Sequence, residues 1–264
     1  MNVVVDIGDI LEGLDQMAAQ RPVAARIVAT SNEDGAGAVD LAAILGADVM
    51  LATKVMKLAN SVYFGLSGNV TSLQFAVTVV GFNTVRSIAT VALAGMDHTT
   101  SLPDCFWDTS LHLAASCGAL GPRFDVKTAD ALCLGLLAQL GAALLHQADA
   151  VGYEELVTST DLGSERFRAE TQRYGISSPG VTAEALHQWR FPMLMVDALR
   201  AVGSGPDGAL LRTSYEITRR LLQPGGRNTP LTRLSDGRVG ESQASSQMAR
   251  VRTDVQELRV ALGL

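Results

Sequence analysis

The sequence predicts an all-α protein, and three observations carry that reading. Apolar residues recur three and four positions apart through most of the 264 residues. Residues that start or stop helices stand at the ends of those stretches, and no long alternating run of β-type residues is present. With 47% hydrophobic and 18% charged residues, the chain has the composition of a globular protein able to enclose a sizeable core.

Ile7, Ile10, Leu11, Leu14, Met17 and Ala18 fall on one helix face, with Asp9, Glu12, Asp15 and Gln16 between them. Pro22 suits the first turn of a second helix, which runs to Thr30 before the Ser31 to Gly37 turn cluster. Two further helices, Val39 to Leu45 and Asp48 to Ala59, break at Gly46, and Asp48 is placed to cap the second. Thr71-Ser72-Leu73-Gln74 has the capping-box pattern, which makes Thr71 the expected cap of the next helix. Gly81 ends that helix, and Asn83 is expected to start its successor. Beyond Pro103 the pattern recurs to Leu120, then over Thr128 to Gln147, Glu154 to Thr158, Ser164 to Tyr174, Thr182 to Arg190, Pro192 to Val202, Ala209 to Leu222 and Ser242 to Leu262. Gln223 to Gly240, rich in Gly, Pro and polar residues, reads as a flexible loop.

Lys and Arg number 21 against 27 Asp and Glu, a formal charge of −6 that disfavours nucleic acid as a partner. The balance is uneven, −10 over residues 1–199 and +4 over 200–264. Cys105, Cys117 and Cys133 contain no CxxC pair, which points to a reduced, cytoplasmic setting. The N-terminus lacks the basic n-region of a secretory signal. The most apolar stretch, Ala131 to Leu145, has 15 residues, short of the ~18 to 20 that span a bilayer, so no membrane partner is expected. Motifs of hydrolases, phosphate loops and zinc proteases are absent, and His98, His112, His146 and His187 are scattered, none followed by Asp. Met50, Met56, Met193 and Met195 are expected to fill helix interfaces, and Trp107 and Trp189 to act as core posts. Arg219-Arg220 and the Arg250, Arg252, Arg259 series read as solvated faces or partners of the acidic front portion.

Leu58-Ala59-Asn60-Ser61-Val62-Tyr63-Phe64-Gly65, followed by Val70-Thr71-Ser72-Leu73-Gln74-Phe75-Ala76 and Val80-Gly81, resembles the HDOD family (HD-related output domain). Phe106-Trp107-Asp108-Thr109-Ser110, the Leu134 to Gly141 block and Trp189-Arg190-Phe191-Pro192 extend the resemblance over roughly residues 10 to 222. It implies one HDOD domain over residues 1–264. Within it, 1–98 would form an N-terminal helical lobe, 103–222 a degenerate HD-like lobe, and 223–264 a loop and C-terminal helix. In Asn60 to Gly65, Asn60 can close a helix, Gly65 permits a turn barred to other residues, and Tyr63 and Phe64 can wedge that turn against its neighbours. The other reading makes Tyr63, Phe64 and the Leu66 to Asn69 loop a docking surface.

The related HD phosphohydrolases hold divalent metal with histidines and aspartates, and the resemblance aligns those ligand positions with Thr109, Ala138, Gln139, Ser178 and the Ala201 to Gly203 region. Metal catalysis needs several imidazole or carboxylate ligands converging on one ion. Ala has no donor atom and Gln is a weak neutral one. The expectation is therefore no metal, no cofactor and no catalysis: a bacterial, cytoplasmic signal-transduction adaptor that docks other signalling proteins through helix faces, with self-association left open. Movement of the two lobes about the Thr99 to Pro103 break would modulate docking. The alternative is a metal-free sensor that binds a nucleotide second messenger in the vacated pocket around Thr109 and Gln139.

Overall fold

The computed structural model describes residue 8 and residues 21–33, 35–66, 68–96 and 102–264, and every regular element among them is helical. Gly8 apart, the helix expected from Ile7 to Ala18 lies outside the described residues, as do His98 and residues 99–101 of the inter-lobe break.

The helices before residue 97, called the N-terminal lobe as a label of their place in the chain, are α1 (Pro22–Thr30), α2 (Ala38–Leu45), α3 (Val49–Ala59), α4 (Leu73–Val80) and α5 (Phe82–Leu93). Asp48 caps α3 as expected, its carboxylate accepting from the Met50 and Leu51 amides at 3.0 Å each. Two caps differ from expectation. Ser72, extended at φ −128° and ψ 149°, brings its hydroxyl within 3.2 Å of the Phe75 amide and so replaces Thr71 as the cap of α4. Gly81 takes the cap position of α5, where the chain turns 101° between α4 and α5. Asn83 instead lies inside the first turn and donates to Asp130 on the other lobe at 2.8 Å.

The second lobe contains α6 (Phe106–Leu120), α7 (Thr128–Leu137), α8 (Leu140–Ala148), α9 (Ala150–Ser159), α10 (Ser164–Tyr174), α11 (Ser178–Gln188), α12 (Met193–Arg200) and α13 (Ala209–Leu222). The continuous helix expected from Thr128 to Gln147 is split at Ala138-Gln139. There the Ala138 carbonyl accepts from side chains and the Gly141 amide donates to one, so both leave the helical ladder. Thr128–Ala148 spans 21 residues and is apolar enough to cross a membrane, longer than the 15-residue stretch counted from sequence. However, 83% of its most apolar window is buried in the fold, between α6 and α11. Asp149 and Ser177 start α9 and α11 earlier than the periodicity implies, by accepting from the Gly152 and Gly180 amides.

The segment read as a loop contains α14 (Leu231–Leu234), because Leu231 and Val239 are fully buried and Glu241 accepts from the Leu231 amide at 2.6 Å. α15 (Ala244–Leu262) then buries Val251, Val255 and Leu258. It packs on α6 and α13 of one lobe and on α3 and the Val62–Phe64 turn of the other, and Arg259 pairs with Asp108 on α6. The basic C-terminal stretch is thus an amphipathic strap.

A second tie runs through Arg86 of α5, which is only 3% exposed. Its guanidinium donates to the Trp189 carbonyl and lies 3.7 Å over the Phe191 ring, and burial pushes its pKa down to about 10. Asn32 donates to the same carbonyl at 3.2 Å. Trp107 and Trp189 are partly buried against the core; Met50 and Met193, expected at interfaces, are exposed because α3 and α12 turn them outward. Arg86→Ala should cost about 3 kcal/mol in denaturant unfolding, since it removes a charged donor and a cation–π contact and leaves a cavity against Phe191, with Asn32 as the remaining donor to the Trp189 carbonyl. A change below ~1 kcal/mol would remove Arg86 as the inter-lobe tie.

Candidate functional site

Two glycines determine how closely the second lobe packs. A Cβ on Gly135 would fall 2.4 Å from the Leu113 carbonyl oxygen of α6, and one on Gly141 would fall 2.0 Å from the Ser178 carbonyl oxygen of α11. Both helices therefore approach α7 and α8 backbone to backbone, which only glycine allows. The Ala138 carbonyl, the Gln139 side chain and the Gly141 amide at the α7–α8 break find partners inside this packing. Gln139 Nε2 donates to the Tyr215 hydroxyl at 3.0 Å, and that hydroxyl donates to the Ala138 carbonyl at 3.3 Å. The Thr182 hydroxyl accepts from the Gly141 amide at 2.8 Å and shares its proton between the Ser178 and Ala138 carbonyls at 3.0 and 3.4 Å.

Ala138, Gln139 and Ser178 are thus brought together, with Tyr215 and Thr182 as the links. Thr109 is buried on α6, and among the described residues its side chain makes no hydrogen bond to this group. Sequence reasoning missed Tyr215 and Glu170. The Glu170 side chain on α10 is fully buried and accepts from the Tyr153 hydroxyl at 2.7 Å and the Ser178 amide at 2.6 Å. Burial pushes its carboxyl above the ordinary glutamate range, outweighing the donors that favour its charged form. Arg166, buried one turn away, spends its Nη2 on the Val157 and Thr160 carbonyls at 3.0 Å each.

The Asn60 segment serves packing. Asn60 closes α3 and clamps Val70 by two hydrogen bonds, 2.8 Å to its carbonyl and 2.9 Å from its amide. The Ser61 hydroxyl donates to the Leu58 carbonyl at 2.7 Å, and Gly65 has φ 71°. The Tyr63 hydroxyl comes within 1.8 Å of where a Cβ on Gly118 of α6 would lie, with Phe64 set edge-on against the Tyr63 ring. Tyr63 therefore points into the inter-lobe contact, although the turn itself reaches the surface at Gly65.

The Arg219-Arg220 pair is not a solvated face. Buried Glu216 accepts from Arg219 at 3.0 Å, Arg220 at 2.8 Å and the Thr229 amide at 3.0 Å, which fastens the 223–240 segment to α13. Cys105 is exposed, whereas Cys117 and Cys133 are buried, which raises their pKa values to about 12 and about 11. Among the described residues no group of three or more His, Cys, Asp or Glu is arranged to hold a metal ion.

The fold is all-helical among the described residues, with the helices after residue 102 packed around the Ala138-Gln139 break. The family model of the HDOD domain matches residues 17–203, and the chain belongs to the HDOD family. Among solved structures it is similar to a proposed phosphohydrolase from Shewanella amazonensis, 17% identical with TM-score 0.70, covering 96% of this chain and 97% of that one. It is also similar to an HDOD domain protein from Geobacter sulfurreducens, 17% identical with TM-score 0.60, covering 97% and 98% respectively. A proposed signal transduction protein from Marinobacter aquaeolei is 22% identical with TM-score 0.67, covering 92% of this chain and 58% of that one. No curated protein matches the chain.

Glu170 gives the site a measurable pH signature. A carboxyl whose folded pKa is raised holds a proton that the unfolded chain releases, so its contribution is full below the ordinary value of 4.5 and lost as pH rises through the folded value. The stability of Glu170→Gln relative to the parent should therefore increase with pH above 4.5. A pH-independent difference in urea unfolding would contradict the raised carboxyl.

Proposed function

We propose that this chain is a non-catalytic signalling output module that acts in the cytoplasm by docking other signalling proteins. The carrying observation is the chemistry at the Ala138-Gln139 break. The side chains aligned with HD metal ligands are a methyl, a carboxamide and two hydroxyls, and the Gln139 amide is spent on Tyr215. These residues do not fit a resident divalent ion, which requires several charged or imidazole donors free to converge on it. The nearby carboxylate, Glu170, is committed to Tyr153 and Ser178.

Support for a signalling role comes from the family itself and from the likeness to the proposed signal transduction protein from Marinobacter aquaeolei. Docking is supported by the apolar side chains that α2, α3 and α4 leave on the surface: Val39, Val49, Met50 and Phe75 are 59%, 76%, 69% and 44% exposed. Because Arg86 and α15 join the lobes, partners meet a largely preformed surface. A nucleotide in the space around Gln139 would have to displace Tyr215 from Gln139 and the Ala138 carbonyl, and Thr182 from the Gly141 amide and the Ala138 carbonyl, so that alternative forms no part of the proposal.

Full-length protein incubated with manganese, iron or magnesium should retain far less than one ion per chain by elemental analysis, and should release no phosphate from nucleotides or phosphodiesters. One tightly held ion per chain together with turnover would overturn the non-catalytic reading.

A further inference from the structure

A pocket of about 520 Å³ opens beside Tyr215, between the N-terminal turn of α10, α13 and the 223–234 segment. Arg168, Arg212, Arg219, Arg227 and Arg233 line it, five guanidiniums in a chain whose formal charge is −6. The lining carboxylates are Asp161, Glu165 and Glu216; Glu216 pairs with Arg219 and Arg220, and Arg219 also donates to Gln223 and Asn228, so Arg219 adds no free charge and the other four arginines face Asp161 and Glu165. Arg212 is held in place by the Ala201 and Gly205 carbonyls at 3.1 and 2.7 Å, with Asp236 at 3.7 Å. Arg168 spends only its Nε, on the Ser164 carbonyl at 3.2 Å. Arg227 and Arg233 are exposed and make no ion pair among the described residues.

The 11-residue helix α10 begins at this pocket with Gly163, at φ 103°, in the cap position. Glycine supplies no side-chain acceptor; the Arg166 amide donates to the Asp161 carbonyl at 3.3 Å, and the Ser164 and Glu165 amides at the positive end of the dipole make no hydrogen bond among the described residues, with Glu165 itself in the first turn. Planar guanidiniums with unused N–H groups, grouped in a cavity and backed by a helix N-terminus, match the charge and geometry of phosphate oxygens. The volume lies within the ~300–1,000 Å³ of small-molecule sites.

We infer that this pocket binds a small phosphorylated ligand carrying two or more negative charges, such as a pyrophosphate or a nucleoside triphosphate. It uses no residue of the Ala138-Gln139 break except the shared neighbour Tyr215, and it stands whether or not the chain is catalytic. Binding there would join α10, α13 and the 223–234 segment, the region that leads into the α15 strap, and so give the module an input.

The test is thermal unfolding and calorimetric titration of the full chain with pyrophosphate and with ATP, against sodium chloride at matched ionic strength. Saturable stabilisation is expected. It should weaken at least tenfold when Arg227→Ser and Arg233→Ser are combined, and persist when the charge-matched pair Arg250→Ser and Arg252→Ser is made on α15. Tighter binding of ATP than of pyrophosphate would add contacts to the nucleoside, and equal binding would confine recognition to the phosphates. The inference is overturned if neither probe stabilises beyond chloride, or if both arginine pairs weaken binding alike.

Discussion

The constraint on which the second lobe depends is the direct approach of backbones at Gly135 and Gly141. Side chains of any size there would collide with the carbonyls of Leu113 and Ser178, by the 2.4 and 2.0 Å separations at the two positions. Once α6 and α11 are that close, the run from Thr128 to Ala148 is flanked by polar backbone on both sides. The break at Ala138-Gln139 is then stabilised by hydrogen bonds from Thr182 and Tyr215. The Ala138 carbonyl and the Gly141 amide, released from the helix, both find partners, which matters because a buried unpaired group costs ~1 to 3 kcal/mol.

The lobes are held by contacts of unlike kinds. Arg86 is a buried cation with a carbonyl and an aromatic face as partners, a costly group to desolvate and therefore a specific one. The α15 strap contributes apolar burial through Val251, Val255 and Leu258 together with the surface pair Arg259 and Asp108. The aromatic turn at Tyr63 and Phe64 adds shape, filling the room left by Gly118. Together they bring the Asn60 to Gly65 segment and the Trp189 to Pro192 block, far apart in sequence, to one interface, and this gives both blocks a structural role.

Charge is arranged by burial more than by composition. The acidic chain turns a set of guanidiniums toward one pocket, while Glu216 and Glu241 neutralise Arg219 and Arg220 within the fold. Glu170 sits among hydroxyls and an amide with its pKa raised, and His146 lies 3.2 Å from Glu154.

Helix periodicity determined the class and most elements, because an amphipathic stripe is a local pattern: α1, α3, α10 and α13 lie where spacing and caps place them. The residue types at positions 109, 138, 139 and 178 were equally legible, since a missing donor atom is a property of the side chain alone. The helix break at Ala138-Gln139, the burial of Glu170 and Arg86, the short helix at Leu231–Leu234 and the gathering of arginines from α10, α13 and the 223–234 segment were decided only by tertiary structure. The Ser164 to Tyr174 helix is legible from its spacing, whereas the burial of Glu170 depends on Tyr153 of α9 and Ser178 of α11. Each of these depends on partners outside its own helix, from 8 residues away for Glu170 to 103 for Arg86. Only close packing can make a backbone carbonyl or a remote ring the partner of a charged side chain.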